Sequence, residues 1–249
     1  MISKRIIPIL LLKNQDIVKT VNYKNPKYIG DPINIIKIFN EKKVDELILI
    51  DIDSTRYNKT INLEFIEKVA GECHMPITYG GGIKKIEDAG KIFNLGIEKV
   101  SLDYSILNKS SLINEISSKF GAQSVVASIN LNINFFKKIK LYDYIKNENL
   151  DVNIDTYIKD CINNGAGEVL INLVHKEGTL TGIDNKFLNN FNNNYKLPII
   201  LHGGVNSIEN INKIFDYNYD AVGVGSFFMF QGPHKAVLIS YPEKYNHNK

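Results

Sequence analysis

Short apolar runs recur along the chain, each followed by a longer amphipathic stretch. The runs occupy residues 6–12, 47–52, 76–79, 100–102, 124–129, 169–173, 198–201 and 221–224 and are rich in Ile, Val and Leu. Continuous apolar runs of this kind predict strands buried on both faces. The intervening stretches, 32–43, 62–72, 86–95, 110–119, 154–163, 185–191 and 207–215, carry apolar residues at helical spacing. Some open on strong start signals: Asp31 precedes Pro32, and Ser207 stands two residues before Glu209. Eight strands alternating with helices predict an α/β fold closed as a parallel (β/α)8 TIM barrel, with a doubly wound open sheet as the rival.

An internal repeat favours the barrel. Residues 75–106 align without gaps onto residues 197–228, pairing Pro76 with Pro198, Gly81 with Gly203, Gly82 with Gly204 and Ile92-Phe93 with Ile214-Phe215. The same shift pairs Glu46 with Glu168. Two half-barrels, about 1–120 and 121–230, with a tail at 231–249, are the natural division. No linker-like composition separates them, so one domain over 1–249 is expected.

Hydrophobic residues make up 44% of the 249 positions, enough for a core that hides roughly 70–75% of the unfolded surface. The formal net charge is +3 with 23% charged residues. That near-balance points away from nucleic acid and from anionic membranes as partners. No run approaches the ~20 apolar residues that span a bilayer. The first apolar run is broken by Pro8 and closed by Lys13, and reads as a strand rather than a signal peptide. Cys73 and Cys161 form no CxxC pair and read as buried helix residues, so no disulfide framework and no metal site are expected. A reducing cytoplasm is the expected compartment, and nothing calls for a cofactor.

Glycines cluster at predicted strand exits. Gly80-Gly81-Gly82 follow the third strand, Gly203-Gly204 the seventh, and Gly225-Ser226 the eighth, where a short helix is expected to open. Such loops let backbone N–H groups approach an anion, so Gly203, Gly204, Gly225 and Ser226 are expected to hold a phosphate. The first-half partner, Gly81 and Gly82, is weaker, because the residue matching Gly225 is Asp103, whose carboxylate repels a phosphate. One good anion site is expected, not two. Arg5, Glu46, Lys99 and Glu168 stand at strand starts, and a barrel gathers those at one mouth. Spacing alone leaves two readings of them: ordinary solvated charges or a paired ring.

The segments KRIIPILLLKN, VKTVNYKNPKYIGDPI, VDELILIDID, MPITYGGGIKKIEDA, GIEKVSLD, GAGEVLI and EGTLTGID follow in order over residues 4–230. Together they resemble the HisF family, the cyclase subunit of imidazole glycerol phosphate synthase; 131–153 is the weakest stretch. The tail FQGPHKAVLISYP, with PILLLKN near the start, looks like the WbuZ-type branch associated with glycosyl amidation in surface-polysaccharide gene clusters. The resemblance implies a (β/α)8 barrel working with a HisH-like glutaminase, whose ammonia enters the N-terminal mouth. The ammonia then crosses the barrel to meet a phosphorylated substrate, PRFAR in the histidine pathway. Two aspartates act there as the acid–base pair.

This chain keeps part of that machinery. The two aspartate positions hold Leu11 and Asn130, neither of which can take up and release a proton near pH 7. The asparagine after the fourth strand is Asp103, and the aspartate-rich loop after the sixth is His175-Lys176-Glu177-Gly178-Thr179. Lys19, carried over as a phosphate-side residue, and Asp51 are retained. The resemblance reads Arg5, Glu46, Lys99 and Glu168 as the ammonia gate and Glu98 as a contact to the glutaminase. Asp51 is then the remaining acid or base, and His202 and His175 are polar filling at strand exits. Asp53 flanks the same strand end as Asp51. Tyr57, Tyr79 and Tyr104 read as packing or rim residues, His234 as a docking residue for the tail, and His74 and His247 as background. The expected function is ammonia transfer for sugar amidation, an acetamidino group, with a separate sugar amidotransferase. The rivals are true imidazole glycerol phosphate synthase activity and a non-catalytic activator of the glutaminase.

Overall fold

The computed structural model describes residues 4–191, 193–232 and 234–242. In chain order the elements are β1 (Arg5–Lys13), β2 (Asp16–Val21), β3 (Lys24–Gly30), α1 (Pro32–Glu41), β4 (Leu47–Asp51), α2 (Leu63–Glu72), β5 (Ile77–Gly80) and α3 (Ile86–Phe93). There follow β6 (Lys99–Leu102), α4 (Tyr104–Asn108), α5 (Ser111–Phe120), β7 (Val125–Ile133), β8 (Ile139–Asp143), β9 (Glu148–Leu150), α6 (Ile154–Asn163) and β10 (Glu168–Leu173). The chain ends with α7 (Asn185–Asn190), β11 (Ile199–His202), α8 (Ile208–Asp216), β12 (Ala221–Val224) and the short pair β13 (Phe230–Gln231) and β14 (Ala236–Val237).

The eight predicted strands are all present. They pair in parallel in the order β12, β1, β4, β5, β6, β7, β10, β11, and β11 returns to β12, so the sheet closes. The chain is a (β/α)8 barrel, not an open sheet. Helix starts follow the sequence: Asp31, Asn62, Asn153, Asp184 and Ser207 each accept a backbone N–H from the first turn of the helix that follows.

Strand alternation sets the interior. Ile6, Leu10 and Leu12 pack outward with the helices, whereas Ile7, Ile9, Ile48, Val126, Leu170, Ile200 and Ala221 form a separate cluster inside the barrel. By the same period of two, Arg5 and Leu11 share the inward face of β1, and Lys99, Ser101 and Asp103 that of β6.

Two hairpins escape the apolar pattern. β2–β3 grows antiparallel from β1, and β8–β9 from β7. The first turns on Asn22 (φ 53°) and Tyr23 (φ 62°), the left-handed pair of a two-residue hairpin turn. The short helix expected after Gly225 is one 3-10 turn, Ser226–Phe228, and offers no extended helix N-terminus. His234 is exposed and makes no hydrogen bond or ion pair among the described residues. The tail is held instead by Tyr241, whose hydroxyl donates to the Ile6 carbonyl at 3.1 Å and whose ring lies 5.3 Å from that of Phe228. Cys161 is buried, but Cys73 is a half-buried residue just past α2; both are free thiols. His74 is exposed, and His247 lies outside the described residues. Among the described residues no helix is long and apolar enough to cross a membrane.

Ile48 is fully buried at the centre of the inner cluster. Ile48→Ala is expected to cost about 2–5 kcal/mol in urea unfolding, whereas Leu238→Ala, at a position 62% exposed, stays within about 0.5 kcal/mol.

Candidate active site

A cavity of about 220 Å³ opens at the C-terminal mouth of the barrel, where strand exits and both hairpins converge. Leu11, Asp51, Gly81, Asp103, Asn172 and His202 are among its lining residues, together with Tyr23 and Tyr144 from the hairpins. Below it, Ile9 and Leu170 belong to the packed inner cluster.

A hydrogen-bonded network crosses this mouth. Asn130, almost fully buried on β7, donates from Nδ2 to Asp103 Oδ2 at 2.7 Å. Its Oδ1 accepts from Tyr23 Oη at 2.8 Å and from Asn172 Nδ2 at 3.2 Å. Asn172 also donates to Ser128 Oγ at 2.9 Å. The donors arriving at Oδ1 fix the amide so that its NH2 faces the carboxylate. Burial pushes the Asp103 carboxyl up to about 7; the Asn130 bond opposes that rise and the charge of Asp143 adds to it. Leu11, beside this network on β1, brings only apolar surface.

The other acidic candidates are engaged locally. Asp51 lines the cavity, but its Oδ1 accepts from the Asp53 and Ser54 N–H groups at 2.9 and 3.0 Å and its Oδ2 from Ser54 Oγ at 2.6 Å. It anchors a turn rather than offering a free base. Asp53 pairs with Lys13 and Lys59, each at 3.1 Å. Glu177 accepts from Thr20 Oγ1 at 2.9 Å and the Tyr23 N–H at 3.1 Å, and so ties the first hairpin to the loop after β10.

The two glycine cradles have different surroundings, and each has a carboxylate nearby: Asp103 in the first half and Glu177 in the second. In the second half, Gly203 (φ 119°) and Gly204 (φ 85°) take backbone conformations that side chains disfavour. Gly204, Gly225 and Ser226 line a smaller cavity beside His202. The Lys19 amine lies 3.1 Å from where a Cβ on Gly225 would lie, and donates to the Ile9 carbonyl. Burial lowers Lys19 to about 8, against the pull of Glu177, leaving it mostly charged at neutral pH. Burial lowers His202 to about 4; its Nδ1, 2.9 Å from the Gly223 carbonyl, is therefore the protonated nitrogen of a neutral ring. In the first half, the Gly82 N–H already donates to Thr55 Oγ1 at 3.0 Å, and a Cβ on Gly81 would meet the Asp51 carbonyl at 2.3 Å. Gly203 and Gly204 are also confined, with the Leu173 carbonyl 2.7 Å and the Lys176 Cβ 2.9 Å from where a Cβ would lie. His175 is half-buried and is not among the lining residues, so it does not fill the top of the barrel. Tyr79 is core, Tyr57 is exposed at the rim, and Tyr104 lines the cavity.

At the opposite mouth the four strand-start charges form a closed ring. Arg5 reaches Glu46 at 2.6 Å and Glu168 at 3.2 Å; Lys99 reaches the same two at 3.0 and 2.9 Å. Thr78 Oγ1 adds a bond to Glu46 at 3.1 Å. Burial alone lowers the Arg5 pKa, but Glu168 and Glu46 outweigh it and hold it above its ordinary value. The ring is therefore paired, not splayed into solvent. Glu98 is exposed beside it and caps the Ile77 N–H at 2.8 Å.

Sequence reasoning missed Tyr23, Tyr144, Asn172 and Ser128. Tyr23 and Tyr144 ride on the hairpins, whose one legible signal was the Asn22-Tyr23 turn between alternating residues. Asn172 and Ser128 sit inside runs that read as apolar.

Residues 5–234 match the family model described as histidine biosynthesis protein. The chain belongs to this histidine-biosynthesis family, and within it to the HisF type. A Pseudomonas aeruginosa protein provisionally named imidazole glycerol phosphate synthase subunit hisF2 is 46% identical over 244 residues, 98% of this chain and 97% of its own. A Lactococcus lactis subsp. cremoris protein named imidazole glycerol phosphate synthase subunit HisF is 36% identical over 217 residues, 87% of this chain and 84% of its own. A Campylobacter jejuni protein provisionally named hisF2 is 35% identical over 230 residues, 92% of this chain and 91% of its own.

The raised carboxyl has a stability signature. Folded Asp103 holds its proton up to about pH 7, whereas an unfolded aspartate loses it near ~4. The wild type therefore loses stability as pH climbs through that window. Asp103→Asn is expected to melt with the wild type at pH 4 and to be more stable at pH 8, on the order of 2 kcal/mol after allowing for solvent in the cavity. Equal melting differences at both pH values would contradict the shift.

Proposed function

We propose that this HisF-type barrel receives ammonia from a glutaminase at the ionic-ring mouth and delivers it to a phosphorylated small molecule in the cavity. The observation that carries the reading is the unequal treatment of the two ends. The ring of Arg5, Glu46, Lys99 and Glu168 is complete and closed, while the cyclase positions hold Leu11 and Asn130. A buried four-charge ring costs desolvation that apolar packing avoids, so its retention supports a role in passage or coupling. Ammonia is small and uncharged, and its passage requires side chains of the ring and of the apolar cluster above it to move aside.

The substrate's phosphate is assigned to Gly203, Gly204, Gly225 and Ser226 under the Lys19 amine. The Gly81-Gly82 side, where the Gly82 N–H is already engaged by Thr55 Oγ1, is assigned no phosphate. Glu98 contributes to the glutaminase interface. The finer reading is nitrogen transfer to a sugar, an acetamidino group, in surface-glycan synthesis, with a separate amidotransferase; the sequence of the tail supports it. Cyclisation of PRFAR is the lesser reading, since each lost acid–base step costs roughly 10²–10⁴-fold.

Adding the barrel to its purified glutaminase partner should raise glutamine hydrolysis at least tenfold. Lys99→Ala should uncouple the two activities, and the exposed Glu98→Lys should weaken the complex with no loss of fold. Absence of a complex in sedimentation or pull-down would contradict the reading. With inorganic phosphate, amide shifts should appear at Gly204 and Ser226 and not at Gly82; equal shifts at both cradles would show two anion sites.

A further inference from the structure

Four carboxylates line the cavity: Asp51, Asp53, Asp103 and Glu177. Three have both oxygens engaged. Asp51 is held by Asp53 and Ser54, Asp53 by Lys13 and Lys59, and Glu177 by Thr20 and Tyr23. Asp103 differs. Its Oδ2 is fixed at 2.7 Å by Asn130 Nδ2, and its Oδ1 has no partner among the described residues. Asn130 is itself fixed from behind by Tyr23 and Asn172. A carboxylate with one oxygen anchored, the other open to a cavity and its orientation set by an amide has the geometry of a general acid–base group.

We propose that Asp103 is the proton-transfer residue of this cavity, acting from the β6 exit in place of the two carboxyl groups that Leu11 and Asn130 do not supply, with Asn130 as its positioning residue. The assignment rests on ammonia delivery as proposed above. The electrophile is of the carbonyl class. Ammonia's lone pair forms the C–N bond as the C=O π bond breaks, leaving an ammonium nitrogen and an alkoxide. Asp103 Oδ1 takes one proton from the nitrogen, and the resulting carboxylic acid returns it to the alkoxide. The sum is ammonia plus carbonyl giving an amino alcohol, with no oxidation and with Asp103 restored.

The burial that raises the carboxyl to about 7 poises it for both halves of this transfer at neutral pH. The groups that bear on it are Asp143 of β8, Tyr144 beyond it, Tyr23 from the first hairpin and Tyr157 of α6, with the Arg56 guanidinium stacked on Tyr144. Burial raises the pKa of all three tyrosines, so they stay neutral through the range in question. Asp143 is the charged neighbour on the acidic side.

The test uses the full complex with its glutaminase, [amide-15N]glutamine and a small-molecule extract of the source cells, with 15N-labelled product followed by mass spectrometry. Asp103→Asn should slow labelling at least ~100-fold while stimulation of glutamine hydrolysis stays within twofold. Asp103→Glu should regain part of the rate. Asn130→Leu removes the bond that lowers the Asp103 pKa, and should move the acidic limb of the pH–rate profile to higher pH. Labelling by Asp103→Asn at the wild-type rate overturns the assignment, as does loss of hydrolysis coupling and labelling together in both Asp103 variants. A wild-type complex that hydrolyses glutamine but labels nothing defeats the ammonia-delivery reading itself, and is distinguished by appearing before any substitution is made.

Discussion

The period of two along parallel strands is the constraint from which the rest follows. Closing eight such strands forces every second side chain into one shared interior. On β1 that series runs Arg5, Ile7, Ile9, Leu11; on β6 it runs Lys99, Ser101, Asp103; on β10 it runs Glu168, Leu170, Asn172. Charge at one mouth, apolar packing in the middle and polar groups at the other mouth are three levels of the same inward face. A one-residue slip in any strand would exchange them for residues of the outer core.

Within this frame the two mouths solve different electrostatic problems. At the ring, two half-buried cations pair with two buried anions, and each charge faces its counter-ions. At the cavity, half-buried Asp103 is paired with an amide rather than a cation, and its desolvation raises its affinity for a proton. The ring charges face counter-ions, whereas Asp103 faces a neutral amide. The difference between the two mouths thus has a physical basis in which groups share their burial with a counter-ion.

The barrel was legible in the sequence because its signals are redundant: eight apolar runs, strong helix caps and a half-barrel repeat all point one way. The ring was legible as spacing, since strand starts converge in any closed parallel sheet. The chemistry was less so. Asp103 read as a repellent for phosphate, because a charge is visible in sequence and its hydrogen-bond partners are not. Asp51 read as the surviving base, yet its oxygens close a turn through Ser54 that no spacing rule reveals. Tyr23 and Tyr144 were missed because they reach the cavity from hairpins that add no apolar run of their own.

The central claim is that nitrogen enters at the ring and reacts at the other mouth without mixing with solvent. Isotope competition tests it most directly: the complex is given [amide-15N]glutamine in a large excess of unlabelled ammonium, and the label in the product is measured. Conduction through the barrel predicts product that keeps the glutamine label. A product carrying the isotope ratio of the bulk solution would contradict it.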